Sequence, residues 1–320
     1  MCAATLEDKN IGRVIANRYI LRERIGSGSL GVVYRAEQMG MKRKLAIKLL
    51  AAGDATRDPR TVERFRREGE VLCQLRSPHT VTTYEYNDEP DGSLYIAMEL
   101  SPGRSLAEVI RDEGPLHWAR VLRILDGLCD SLGEAHALGV VHRDLKPENI
   151  LLESRPANHA FVKLLDFGLA KILPIDLQLS PPGQMVGSIE YTSPEQLLRH
   201  PIDARSDIYS LGVLGYKLMT GHHPLHEART FGDLVAAHIH RVPPLASTLD
   251  PSVPTDVDMI LARCLDKEPE RRYPDASALR GTIGVVLAEL APEAGETIRE
   301  PEIELTSSDD IEIADPPRRR

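Results

Sequence analysis

Two hydrophobic rhythms divide the chain near Leu100, and this division limits the fold more than any other feature of the sequence. Residues 19–50 run as short β-rich stretches broken by glycines, the pattern of antiparallel strands and turns. Residues 61–76 then place Phe65, Leu72 and Leu75 on one helical face among many charges. Two further strand-like runs, 81–86 and 94–100, flank the turn-rich Asn87-Asp88-Glu89-Pro90-Asp91-Gly92. Beyond Leu100 the period lengthens. Val121, Leu125, Leu128 and Leu132 recur at helical spacing before Gly139; Ile208, Leu211, Leu214 and Leu218 do so before Gly221; Leu279, Ile283, Val286 and Leu290 repeat the pattern once more. The expected architecture is α+β and two-lobed: an antiparallel sheet with one helix over about 19–100, and a larger, mainly helical lobe over about 101–290.

Length and composition agree with this. A chain of 320 residues, 42% hydrophobic and 27% charged, is long enough to bury a core and belongs with globular proteins. No run reaches the roughly 18 apolar residues that span a bilayer, and the start lacks the basic and apolar regions of a secretory leader. Cys2, Cys73, Cys129 and Cys264 lie far apart without a C-x-x-C pair, so neither a disulfide framework nor a zinc knuckle is indicated, and a cytoplasmic setting is expected. The net charge of −9 and an aromatic content of 4% argue against nucleic acid or an anionic membrane as the partner. Residues 291–320 hold nine acidic side chains against four arginines, a net −5, with no apolar period; they read as an acidic disordered tail. Its basic end, Pro316-Pro317-Arg318-Arg319-Arg320, would also suit the approach to a membrane segment in a longer parent chain.

The residues that carry chemistry cluster in three places. Gly26, Gly28 and Gly31 lie between two strand-like runs, where glycines let the backbone fold closely over a phosphate chain and offer unobstructed N–H donors. A dinucleotide-binding turn would need a helix after the last glycine. Val32-Val33-Tyr34 instead continue as a strand. Downstream, Lys48 follows Ala46-Ile47 on the next strand and Glu68 sits on the first helix; an ammonium on a strand can hold α- and β-phosphates while a carboxylate orients it. Either charge alone reads as solvated surface. The third cluster is VHRDLKPENIL, residues 141–151, with Asp166-Phe167-Gly168 seventeen residues after Asn149. Phosphoryl transfer needs a carboxylate to position the attacking hydroxyl, a cation for the moving phosphoryl group and oxygen ligands for magnesium, and Asp144, Lys146, Asn149 and Asp166 are the right types.

With these motifs in this order, the chain resembles the protein kinases of the serine/threonine type, the bacterial members in particular, over about residues 19–290. The resemblance implies transfer of the γ-phosphoryl group of ATP, with Mg2+ or Mn2+, to hydroxyls of protein substrates. It makes the three glycines a lid over ATP, sets Ile25, Val33 and Ala46 above the adenine and Leu151 below it, and pairs Lys48 with Glu68. Asp144 becomes the catalytic aspartate and Lys146 the γ-phosphate contact, with Asn149 and Asp166 as metal ligands. Met98 falls at the gatekeeper, so Glu99 to Ser101 form the hinge whose backbone reads the adenine edge. His142 and Phe167 become packing residues. Residues 187–195, GSIEYTSPE, resemble the loop that cradles the acceptor peptide, with Ser-Pro-Glu where many relatives have Ala-Pro-Glu; Glu195 would pair with Arg272, and Asp207 would brace the catalytic loop.

Two departures carry expectations. Gly69 follows Glu68 inside the helix at a cost of about 1 kcal/mol relative to alanine, which predicts a loosely held helix. Ser180 is the one hydroxyl residue between Phe167 and Gly187, so control by phosphorylation there has a narrow base. Thr306, Ser307 and Ser308 make the tail a candidate for autophosphorylation and for a phosphopeptide-binding partner, with a passive linker as the alternative that composition equally allows. The histidines 222, 223, 226, 238 and 240 lack a cysteine or acidic ligand set and predict no zinc site. The basic run 64–67 reads as a solvated helix face. Two rivals stand beside the kinase reading. A catalytically dead scaffold would be expected to lack Lys48, Asp144 or Asp166, and a small-molecule phosphotransferase would not need the peptide platform.

Overall fold

A computed structural model describes residues 8–28, 31–50, 59–155, 158–165, 167 and 189–291. Six strands form an antiparallel sheet in the order β1-β2-β3-β4-β6-β5: β1 (Val14–Ile15), β2 (Tyr19–Gly28), β3 (Gly31–Gln38), β4 (Arg43–Leu50), β5 (Thr83–Asp88) and β6 (Leu94–Met98). In β4 the residues from Leu45 to Leu50 are all buried, because both faces of the strand are covered. Helix α1 (Pro59–Leu72) lies between β4 and β5 in the chain.

The sheet begins before the first strand expected from the sequence. Ile15 on β1 is fully buried with Tyr19, Leu21, Tyr34 and Tyr95 in a cluster of its own. The preceding residues bind the same face: the Tyr34 hydroxyl donates to the Asp8 carboxylate at 3.0 Å and accepts from the Asn10 amide at 3.0 Å. Glu85 gathers the hydroxyls of Tyr19 and Tyr95, at 2.9 and 2.5 Å, with Arg18 at 2.6 Å. These polar tips explain how three tyrosines can line a buried cluster, each hydroxyl keeping a partner.

The second lobe is helical as expected. It contains α2 (Leu106–Glu113), α3 (Trp118–Ala137), the short α4 (Pro194–Leu197), α5 (Ala204–Thr220), α6 (Phe231–His240), α7 (Thr255–Cys264) and α8 (Ala276–Leu290). Ser105 and Glu108 form a capping box on α2. Gly221 ends α5 with φ of 73°, a left-handed cap that glycine adopts without strain. Val121, Leu125, Leu128 and Leu132 on α3 join Ile208, Leu211, Leu214 and Leu218 on α5 in the main core, all 1% exposed or less. A second sheet, β7 (Arg104–Ser105), β8 (Ile150–Arg155) and β9 (Asn158–Leu164), lies where the lobes meet. Val81 donates its backbone N–H to the Leu164 carbonyl at 3.0 Å, and Leu164 donates to the His79 carbonyl at 2.8 Å, so β9 is sewn to the segment that leads into β5. Among the described residues no helix is long and apolar enough to cross a membrane.

Candidate active site

The segment from His142 to Asn149 has little regular structure of its own and is held by α5. Asp207 is fully buried and accepts three hydrogen bonds: from the His142 N–H at 2.7 Å, the Arg143 N–H at 2.8 Å and the His136 ring Nε2–H at 3.0 Å. A carboxylate spending its lone pairs on successive backbone donors fixes the loop's path, including φ of 66° at Arg143. Gln196 adds a bond from its amide to the Arg143 carbonyl at 3.1 Å. His142 is buried, donates through Nε2 to the Leu165 carbonyl at 2.8 Å, and packs its ring 5.0 Å from Phe167. The packing role implied for these two residues agrees with that placement.

On this loop Asp144, Lys146 and Asn149 converge. The Lys146 ammonium donates to Asp144 Oδ2 at 2.8 Å, and the Asn149 amide donates to the same oxygen at 3.1 Å and to the Asp144 carbonyl at 2.8 Å. The Asn149 amide nitrogen is thus engaged, and Oδ1 is the atom it can offer a cation. That orientation fits a hard metal ion, which takes oxygen ligands. Asp166 and Gly168, with Gly187 and Ser188, lie outside the described residues. So does Ser180.

Lys48 lies on β4, 6% exposed, opposite Val33 on β3 and Ile96 on β6. Ala46, Met98 and Val81 form a small apolar cluster against which Val33, Leu100 and Leu165 pack, bringing three of the expected nucleotide-pocket positions, Val33, Ala46 and Met98, together with Leu100 of the hinge. Leu151 is half-buried on β8, and Ile25 on β2 is 40% exposed. Gly28 and Gly31 face each other across the β2–β3 pair. Glycine is required at Gly31: φ is 150°, and a Cβ there would sit 2.4 Å from the Leu49 carbonyl oxygen. At Gly26 a Cβ would make only an ordinary 3.8 Å contact with Val33. Glu68 falls on α1, its side chain outside the described residues.

Gly69 has a role that helix propensity conceals. A Cβ there would come within 2.4–2.7 Å of three ring carbons of Tyr86 on β5. The missing side chain lets α1 approach the sheet, and Arg66 pairs with Asp88 at 2.5 Å beside this contact. The expected loosening is therefore set against a close contact that alanine would forbid.

The hinge has partners that the motif reading did not include. Glu99 binds Lys163 of β9 at 2.7 Å, and Ser101 donates to Glu153 of β8 at 2.7 Å. Burial raises the Glu99 carboxyl, but the Lys163 ammonium and the Thr82 N–H outweigh it and leave the group below its ordinary value. A lone lysine inside the apolar run Phe161-Val162-Lys163-Leu164-Leu165 was the available signal.

The peptide-platform residues are fastened from α5 and the loop after it. Ser210 donates to the Tyr191 carbonyl at 2.6 Å, Lys217 binds the Glu190 carboxylate at 2.9 Å, and His223 Nε2–H donates to the Glu190 carbonyl at 2.7 Å. His223 accepts from the Leu225 N–H at 3.0 Å through its other nitrogen, and His238 binds the Tyr209 hydroxyl at 2.9 Å. Both rings thus have hydrogen-bonding tasks beneath the platform.

The chain is 36% identical over 284 residues to the serine/threonine-protein kinase pkn3 of Myxococcus xanthus, covering 87% of this chain and 52% of that protein. It is 33% identical over 296 residues to the serine/threonine-protein kinase PknB of Mycolicibacterium smegmatis, covering 90% and 46%. The chain therefore spans about half the length of these curated relatives. Its fold is similar to a crystal structure of the Mycobacterium tuberculosis PknI kinase domain, with a TM-score of 0.67 and 26% identity over 86% of this chain and 97% of that one. A family model for the protein kinase domain matches residues 19–281, the stretch from β2 into α8 that includes the loop held by Asp207, and the chain belongs to that family.

Proposed function

We propose that this chain is a serine/threonine protein kinase that transfers the γ-phosphoryl group of ATP to hydroxyls of protein substrates. The observation that carries the reading is the convergence of Asp144, Lys146 and Asn149 on a loop braced by Asp207. Asp144 positions the acceptor hydroxyl and takes up its proton, and Lys146 neutralises charge on the moving phosphoryl group. Lys48, oriented by Glu68, holds the α- and β-phosphates. Asn149 and Asp166 would hold the magnesium ions, for which manganese could substitute, and the bound metal would offset the charge on the phosphate oxygens. The adenine lies between Val33 and Ala46 on one side and Leu151 on the other, with Met98 behind it and the backbone of Glu99 to Ser101 at its edge. No nucleophile on the enzyme is needed, because positioning and charge neutralisation supply the acceleration.

The catalytic domain occupies residues 19–290, and the acidic segment 291–320 serves as a tail that is autophosphorylated and read by a phosphopeptide-binding partner. Ser180 is the activating site, its phosphate paired with Arg143, whose Nε is buried without a hydrogen-bond partner among the described residues. The setting is cytoplasmic. Incubating the purified chain with labelled ATP and magnesium, with and without a generic protein acceptor, tests the reading. Label should pass to the acceptor's serine and threonine, and none should pass with Asp144→Ala. Label reaching small hydroxyl compounds but no protein would overturn it.

A further inference from the structure

The hinge segment of an ATP site has a demanding task, since its backbone must present donors and acceptors to a flat ring at fixed positions. Here two alternate hinge residues, Glu99 and Ser101, are both held by the β8–β9 hairpin. The Lys163 ammonium donates to Glu99 Oε2 at 2.7 Å and approaches the Thr80 carbonyl at 3.5 Å, and its side chain is 7% exposed. The same Glu99 oxygen accepts from the Thr82 N–H at 3.3 Å, and the Glu99 N–H donates to the Thr82 carbonyl at 2.9 Å. Two residues on, Ser101 donates to Glu153 Oε1 at 2.7 Å, while Arg155 forks onto the other Glu153 oxygen at 2.9 and 2.6 Å. Glu153 is only 6% exposed.

Lys163 thus adds a side-chain tie among three segments that backbone hydrogen bonds also bring together: the hinge, the Thr80 stretch leading into β5, and β9. Tying a cation this deep costs desolvation, and substituting one partner strands the other. Such a pair is a poor way to gain stability. It is a good way to fix one geometry.

We propose that Lys163 is a positioning residue for the nucleotide: through Glu99 it locks the hinge backbone in the conformation that recognises the adenine edge, and it couples that edge to β9, which ends two residues before Asp166 in the sequence. This rests on the ATP-binding reading above. Loss of the pair leaves the Glu99 carboxylate without its cation and this part of the hinge held by the Glu99 N–H bond to Thr82, so nucleotide binding weakens more than turnover at saturating ATP, and adenine loses its advantage over other bases.

The test uses the full chain and binding of a non-hydrolysable ATP analogue with magnesium, read by calorimetry, alongside melting temperature without nucleotide. Lys163→Met keeps the apolar stem, and Glu99→Gln keeps the acceptor for the Thr82 N–H. Each should weaken analogue binding about tenfold and raise KM for ATP more than it lowers kcat. The double variant should be no worse than the weaker single one, as expected of a coupled pair. Lys163→Arg should recover most of the affinity, and the ratio of ATP to GTP affinity should fall in both single variants. Wild-type affinity in Glu99→Gln, or losses of affinity that add in the double variant, would overturn the proposal. So would unchanged base selectivity accompanied by a lower melting temperature, which marks a purely structural pair. Should Lys163→Met fail to fold, the shape-preserving Glu99→Gln decides. A wild-type chain that binds no nucleotide would sink the ATP reading instead, a separate outcome.

Discussion

The Arg272 guanidinium grips both oxygens of the Glu195 carboxylate, at 2.8 and 3.0 Å, and neither side chain is more than 6% exposed. The contact spans 77 residues and ties the end of the peptide platform to the segment before α8. Arg272 spends its remaining donors on the carbonyls of Arg205, Asp266 and Lys267, and Ser206 donates to Glu195 at 2.6 Å. Every donor and acceptor of the pair is used, the condition under which a buried ion pair persists.

Removing one partner should therefore be costly. Arg272→Ala leaves a buried carboxylate and is expected to destabilise the chain by about 3–5 kcal/mol, with a smaller loss for Glu195→Gln. Urea denaturation checks this, and a loss under 1 kcal/mol for Arg272→Ala would mean that water reaches the site.

Acid should loosen the same region. His238 is fully buried, and burial, with the neighbouring His223 and Lys267, lowers its pKa to about 3. An unfolded histidine titrates near 6.5, so the unfolded state binds the extra proton between these values. The folded state's advantage from this group is complete above about pH 6.5 and declines as pH falls toward 3, by at most ~1.4 kcal/mol per pH unit. Glu195, with its pKa lowered by Arg272 and Ser206 against the opposing effect of burial, adds a loss below the ordinary carboxylate range. Denaturation from pH 7 to 4 should show a shallower decline for His238→Gln than for the wild type; equal slopes would remove His238 from the account.

Gly69→Ala should push α1 away from Tyr86 and carry Glu68 with it. We expect the phosphotransfer rate to fall at least tenfold, with partial recovery in Gly69→Ala/Tyr86→Ala, where the clashing ring is gone. An active Gly69→Ala variant would show that the helix shifts without consequence.

Lys48→Ala, Asp144→Ala and Asp166→Ala should each lower transfer by orders of magnitude and leave the circular dichroism spectrum unchanged. Activity near wild type in Asp144→Ala would be incompatible with the proposed acceptor geometry.

The sequence alone determined the division into a strand-rich and a helical lobe, the helix stops at Gly139 and Gly221, and the grouping of Asp144, Lys146 and Asn149. Each depends on neighbours a few residues away, where periodicity and spacing translate directly into local geometry. The resemblance also pointed to Asp207 and to the Glu195–Arg272 pair. What only the tertiary structure decided was which charges and rings meet across long separations: Lys163 with Glu99, Glu153 with Ser101, and Tyr86 against Gly69. A lysine in a strand or a glycine in a helix looks unremarkable or unfavourable by local preference. Its value is set by what the packing of sheet on helix brings against it, because burial turns a commonplace charge into an obligatory partner and a missing Cβ into the only shape that fits.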